Sequence, residues 1–386
     1  MLRIGICGGK LGDVIPDKPK EPWMKNIDKK YYDKKKQGYL YEPSLVAAIN
    51  HKYKNVEATY YPNKLNEKEL QKNDINFLAG INLLNAWEKS DAEYNKWFKI
   101  MEDPKNNIYP SLKEQFFLYN KGDYLKYYEK KGIPIAPTFI VREDRNAKDI
   151  ITKVKKQGWA SFVLKPHYAY ANASIKRVDL NDKGAEKDLT KYLNANKQYP
   201  AFVCQQVMDG FAKFWEVKSF WLNGKFKYYI AMKACDQVFS ESKIYATCQT
   251  DYGDVSPKIL KLVKKMGKKV MDNYPKTYVN GKVSKPLFLR IDFGCCLGNT
   301  MDGSSYFLNE VEYAGCGVFT EQNNIFHLWP TAYYTKAKEI YDSKKKKKNN
   351  KRTKRVTKKE VRHKRQIISS KVGKQEFIFW TSWRRR

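Results

Sequence analysis

The chain has 386 residues, 42% hydrophobic and 15% aromatic, which is enough apolar side chain to bury a core and build two or three domains. No run of eighteen apolar residues occurs, which excludes a membrane-spanning helix, and the opening MLRIGICGGK lacks the pattern of a secretory signal. The net charge of +33 is uneven: residues 344–386 carry 19 Lys and Arg against two acids, about half of the excess.

Residues 2–7 read as a buried strand ending in Gly8-Gly9. A helix is predicted over 42–53, a strand over 56–61 and a further apolar run over 75–84. That alternation predicts a βαβ unit with a parallel sheet over residues 1–110, interrupted at 10–40 by an irregular insertion rich in Lys, Pro and Tyr. Over 111–200 the pattern gives a helix at 119–131 stopped by Gly132-Ile133-Pro134, then a strand at 138–141. A helix at 147–157, strands at 161–165 and 174–178, and a helix at 184–196 follow. Over 201–343 come strands at 201–207, 216–222 and 226–234, the last two joined by an Asn223-Gly224 turn. A helix at 257–273 precedes strands at 287–293 and 306–312. Lys258, Lys261, Lys264, Lys265, Lys268 and Lys269 mark the solvated face of that helix. The fold class is therefore α/β followed by α+β.

From Lys344 to Arg365 almost nothing is apolar, so the segment cannot offset its ordering entropy and reads as a disordered basic tail. Such a tail suits a nucleic acid or another anionic surface, or serves as a solvated extension without a partner. Residues 366–383 regain apolar character. The seven cysteines (Cys7, Cys204, Cys235, Cys248, Cys295, Cys296 and Cys316) are odd in number and have no CxxC spacing, so free thiols in a reducing compartment are expected. That points to the cytoplasm or nucleus, with association with a virion left open.

There is no GxxxxGK[ST] and no GxGxxG, and the four histidines have no metal-binding spacing. The chemistry concentrates instead in Leu289-Arg290-Ile291-Asp292-Phe293 and Leu308-Asn309-Glu310-Val311-Glu312. Side chains alternate along a strand, so Arg290 and Asp292 share a face, as do Glu310 and Glu312. If the two strands pair, three carboxylates and one guanidinium converge. At an effective dielectric of 20 and ~5 Å, each carboxylate pair costs roughly 3 kcal/mol, so the cluster calls for a cation. Oxygen-only ligands favour Mg²⁺. The bland alternative is a set of solvent-facing strand charges. Lys165, ending the apolar run Phe162-Val163-Leu164, gains weight only from these neighbours.

In order along the chain, these segments resemble the ATP-grasp superfamily, most of all its glutathione synthetase and D-alanine–D-alanine ligase group. Asn120-Lys121 followed by Gly132-Ile133-Pro134-Ile135-Ala136-Pro137 is similar to the family's opening "DK…GxPxxP". Lys165-Pro166 through Arg177-Val178 is similar to the loop "KPxxGxGGASIxRV". The likeness covers about residues 111–320; the first hundred residues fit the domain preceding ATP-grasp domains by pattern alone.

The resemblance implies a pre-ATP-grasp domain at 1–110, two ATP-grasp subdomains at 111–200 and 201–343, and a basic tail at 344–386. It implies that Lys121, Lys165 and Lys233 meet nucleotide phosphates and that the main chain of Gln205, Gln206, Val207 and Met208 reads adenine. Glu216 would hold the ribose hydroxyls, while Asp292, Glu310 and Glu312 would bind Mg²⁺, with two ions expected. Arg290 would stabilise charge on the reacting acyl group. The implied activity is ATP-dependent joining of a small carboxylic acid to an amine or thiol through an acylphosphate. A degenerate nucleotide-binding protein and a kinase are the alternatives.

Three departures bear on this. The phosphate loop has Tyr168-Ala169-Tyr170-Ala171-Asn172 where glycines are usual. Glu312 replaces an asparagine, and Tyr313-Ala314-Gly315 replaces Thr-Ser-Pro.

Overall fold

The computed structural model describes residues 1–9, 13–62, 65–81, 83–142, 145–168, 174–208, 210, 214–233, 251–279, 282–295, 306–313, 316–320 and 325–353. The chain separates into two compact units, Met1–Glu339 and Ile340–Arg386, and all the sheets lie in the first.

The N-terminal sheet has the order β5-β1-β6-β7 and is parallel throughout, from β1 (Leu2–Gly8), β5 (Val56–Pro62), β6 (Ile75–Leu78) and β7 (Ile108–Tyr109). The helix Tyr41–Lys52 connects to β5, completing the expected βαβ unit. The apolar run from residue 75 gives a strand only to Leu78; a separate helix starts at Leu83.

Residues 10–40 are more regular than the sequence suggests. β2 (Val14–Pro16), β3 (Tyr32–Asp33) and β4 (Gly38–Leu40) form an antiparallel sheet in the order β2-β4-β3. Strands of two or three residues are too short to show a period of two, which is why composition alone reads the segment as irregular.

The second sheet has the order β10-β9-β11-β8, from β8 (Thr138–Val141), β9 (Ser161–Pro166), β10 (Lys176–Asp179) and β11 (Phe202–Gln206). Its apolar face packs Phe162, Leu164 and Phe202 against Ile150 and Val154 of the helix Ala147–Lys156 and Leu189 of Ala185–Ala195. The helix expected at 119–131 starts at Lys121; a second helix, Leu112–Tyr119, precedes it, and Asn120 at φ −87°, ψ 70° breaks the two apart.

The third sheet has the order β14-β13-β12-β17-β18, from β12 (Glu216–Leu222), β13 (Lys225–Lys233), β14 (Asp251–Gly253), β17 (Phe288–Gly294) and β18 (Phe307–Glu312). Asn223 (φ 49°) and Gly224 (φ 77°) both sit in the left-handed region, as a two-residue hairpin turn with right-handed strand twist requires. β15 (Thr277–Val279) and β16 (Lys282–Ser284) form a separate ribbon. The segment leading into β8 is tied to the third sheet where Leu308 N donates to Pro134 O at 2.8 Å.

The last helix, Leu328–Thr353, runs past the boundary drawn at 344. Lysine is a good helix former, and once a helix is nucleated each added residue needs no buried surface. Residues 354–386, on which the expected nucleic-acid or anionic-surface contact and the apolar stretch at 366–383 mostly fall, lie outside the described residues. Cys7, Cys204 and Cys316 are buried and carry no disulfide, while Cys235, Cys248 and Cys296 lie outside the described residues. No helix among the described residues is long and apolar enough to cross a membrane.

Gly267, on the helix Pro257–Asn273, lies so close to the third sheet that a Cβ there would come within 2.5 Å of Trp221 Cζ2. Overpacking costs about 1–3 kcal/mol, more than the ~1 kcal/mol that alanine gains over glycine in a helix. We expect Gly267→Ala to lower stability by up to about 2 kcal/mol in chemical denaturation. A more stable variant would mean the helix and sheet have slack between them.

Candidate functional site: a carboxylate cluster ringed by cations

β17 is the strand on which the site is built. It lies between β12 and β18, and every one of its residues is buried. Register then fixes the neighbours: Arg290 is opposite Glu312, Asp292 is opposite Glu310, and on the other side Lys218 is opposite Asp292. One carboxylate oxygen each from Asp292, Glu310 and Glu312 lies within 4.8 Å of the others. The three acids singled out from sequence are therefore together in space.

The expected guanidinium is beside them, and two lysines join it. Arg290 donates through Nε to Asp292 Oδ1 at 2.9 Å and through Nη2 to Oδ2 at 2.8 Å, and also pairs with Glu312. Lys218 bridges Asp292 Oδ2 and Glu216 Oε2, both at 2.9 Å. Lys121 pairs with Glu310. The repulsion computed above is thus met by the protein's own side chains.

Asp292 is only 1% exposed. Burial opposes its ionisation, but Arg290 and Lys218 outweigh that and hold its carboxyl below the usual range. Glu310 follows the same logic: burial opposes ionisation, and Lys121 overcomes it. Glu312 goes the other way, to about 7, because burial and repulsion from Glu310 and Asp292 exceed the help from Arg290. Burial also works against the charge on Lys121, yet Glu310 and Glu312 raise its pKa.

Lys165 reaches the cluster from the second sheet. Its Nζ donates to Gln205 Oε1 at 3.0 Å and to Asn309 Oδ1 at 3.4 Å. Burial pulls its pKa down to about 8, with Glu310 opposing and Lys121 reinforcing the drop. Asn309 in turn donates to Glu216 Oε1 at 3.1 Å, linking the ribose-assigned acid to the phosphate-assigned lysine. Lys121 opens the helix Lys121–Lys130, and its own N–H donates to His167 O at 3.3 Å. The next residue, Gly122, permits that approach, since a Cβ there would lie 2.8 Å from His167 Cε1.

The segment expected to read adenine is more committed than its assigned role suggests. Gln206 N donates to Pro137 O and Val207 N to Ser161 O, so of these two residues' main-chain groups only the carbonyls would be left to meet a base. The Gln205 side chain accepts from Lys165 and donates to Thr138 Oγ1. Met208 is buried beside Ala136 and Phe307. Lys233 ends β13, but its side chain lies outside what is described, as do Ala169–Ala173 of the phosphate loop and Ala314-Gly315.

Sequence reasoning missed Lys218, Asn309 and Tyr124, whose hydroxyl accepts from Val311 N at 3.2 Å. For Lys218 a signal existed: it is two residues from Glu216 on a strand, hence on the same face. In a chain with 74 Lys and Arg, one more lysine does not stand out.

No protein-family model matches this sequence, and no curated protein matches it. Solved structures do. D-cycloserine synthetase DcsG aligns over 87% of this chain and 99% of its own, with a TM-score of 0.59 and 11% identity. D-alanine–D-alanine ligase from Bacillus anthracis aligns over 89% and 100%, at TM-score 0.55 and 12% identity. D-alanyl-alanine synthetase A from Vibrio cholerae aligns over 87% and 98%, at TM-score 0.54 and 12% identity. What is shared at these identities is the architecture: the chain has an ATP-grasp fold.

Removing Arg290 takes a cation from both Asp292 and Glu312. Breaking a buried pair this way costs about 3–5 kcal/mol, so Arg290→Met should be strongly destabilised at pH 7. Asp292 stabilises the parent fold above its unfolded pKa and loses that contribution as pH falls through its depressed folded value. In the variant the carboxyls protonate more readily and their penalty fades. The gap in denaturation free energy should therefore narrow between pH 7 and pH 4; a gap independent of pH would show that the guanidinium acts by packing alone.

Proposed function

We propose that the chain is an ATP- and Mg²⁺-dependent ligase that joins a small carboxylic acid to an amine, or to a thiol, releasing ADP and phosphate. The observation that carries this reading is the gathering of Asp292, Glu310 and Glu312 with Lys121, Lys165, Lys218 and Arg290 around them, on an ATP-grasp fold. In the first step a substrate carboxylate oxygen attacks the γ-phosphorus of ATP, the bond to the bridging oxygen breaks, and ADP leaves an acylphosphate behind. The amine then attacks the acyl carbon, phosphate departs and the nitrogen gives its extra proton to solvent.

The donor set of the three acids is all oxygen, which suits Mg²⁺, and Asp292, Glu310 and Glu312 would hold one or two ions. When bound, the metal supplies charge neutralisation to the triphosphate. Lys121 and Lys165 are placed to exchange a protein oxygen for a phosphate oxygen, with Lys233 as the third cation and Glu216 for the ribose. Gln205, Gln206, Val207 and Met208 border the base. Arg290 keeps Nε and Nη2 on Asp292 and Glu312, while among the described residues Nη1 contacts Gly317 O at 3.4 Å and would be the nitrogen that meets a substrate oxygen. Losing one such donor costs about 3 kcal/mol of transition-state stabilisation. No general base is assigned; positioning supplies the rate.

One observation favours the alternative of a nucleotide-binding domain without ligase chemistry: each carboxylate already has a cationic partner, so the cluster stands without a metal. Incubation with ATP, Mg²⁺, a pool of small acids and hydroxylamine separates the readings. A ligase releases ADP and yields a hydroxamate, a kinase releases ADP without one, and a binding domain gives neither. Asp292→Asn and Glu310→Gln should each lower ADP release at least ~100-fold, as loss of a transition-state contact worth about 3 kcal/mol implies, while ATP still binds weakly. Full turnover in either would remove the metal assignment.

A phosphate contact also needs Lys165 charged. Because its pKa is lowered to about 8, ATP affinity should weaken as pH rises from 7 to 9. Lys165→Met should bind more weakly at pH 7 and lose that dependence; the same slope in both proteins would assign the titration elsewhere.

A further inference from the structure

The insertion at 10–40 helps to enclose a cavity of about 650 Å³ that none of the carboxylate cluster's residues line. Small-molecule sites typically occupy about 300–1,000 Å³. The floor is apolar and buried, with Ile15, Trp23, Met24, Ala48 and Phe326, and the Trp23 and Phe326 rings lie 5.1 Å apart at 42°. The exposed mouth carries Lys18, His51, Lys52 and His327, with Glu21 the one carboxylate among the described lining residues. Neither Lys18 nor Lys52 has a carboxylate partner among the described residues; Lys52 Nζ donates to the neutral hydroxyl of Thr331 at 2.9 Å. An aromatic floor under two uncompensated ammonium groups favours a ligand with ring surface at one end and negative charge at the other.

We propose that this cavity is a binding site for a small aromatic anion, a carboxylate, sulfonate or phosphate attached to one or two rings. It lies beyond the ligase reading, since nucleotide chemistry is not required for occupancy. One wall, Thr320, donates to Val14 O at 3.2 Å and belongs to the segment whose Gly317 carbonyl receives Arg290 and whose Val318 N–H donates to Asp13 Oδ2. The cavity wall and the guanidinium's far side are thus the same stretch of chain.

Fluorescence titration of the full chain with 8-anilinonaphthalene-1-sulfonate and with neutral N-phenyl-1-naphthylamine tests this. The sulfonate should bind saturably at one site, and saturating MgATP should not displace it. Reversing both exposed cations, Lys18→Glu with Lys52→Glu, should weaken the sulfonate at least ~10-fold, as two charge reversals a few ångströms from an anion imply. The neutral probe should change less than twofold, and an unchanged circular dichroism spectrum establishes that the variant is folded. Equal sulfonate affinity in variant and parent overturns the assignment, as does displacement by MgATP, since the probe would then occupy the nucleotide site. None of these readouts involves turnover, so failure here leaves the ligase reading where it stood.

Discussion

A carboxylate with almost no exposure to water remains ionised only while cations touch it, and the site is arranged around that requirement at Asp292. Arg290 meets it from two residues away on the same strand, and Lys218 meets it from the register position on β12. The same two cations also serve Glu312 and Glu216, so no member can be removed alone without leaving a buried charge short of a partner. Burial of β17 and the antiparallel register of its two neighbours are thus conditions for the chemistry as well as for the fold.

This arrangement changes how the acidic cluster should be understood. Three close carboxylates suggest a strong demand for metal, but here the demand is already met within the protein. A nucleotide with its metal would rearrange an existing set of ion pairs rather than fill an unbalanced void. Lys121 and Lys165 belong to the second-sheet side, whereas Asp292, Glu310 and Glu312 belong to the third. On the proposed reading that exchange would run across the gap between the two sheets.

The strands of the site were readable from the amino-acid order because period-two alternation survives in segments of six or seven residues, as at 288–294 and 307–312. The βαβ start was readable from short apolar runs alternating with a helical pattern. The insertion was not, because its strands are shorter than any window in which alternation shows. The helix Asp91–Glu102 was overlooked although Ser90 and Glu93 form a capping signature, and Ser111 and Glu114 do so again before Leu112–Tyr119. Lys218 shared a strand face with Glu216 but was lost among the many lysines, and its place opposite Asp292, like Asn309's reach to Lys165, depends on elements distant in sequence.

Asn309 shows what such a position demands. Its oxygen faces an ammonium on one sheet and its nitrogen faces a carboxylate on another, so the amide's polarity is dictated from both ends. An aspartate would present negative charge to Glu216, and a leucine would take one partner from each ion, leaving Lys165 with Gln205 and Glu216 with Lys218. Glutamine carries the same groups but is one methylene too long. The seam between the two halves of the cleft is thus stitched in part by a side chain whose size and dipole suit both banks.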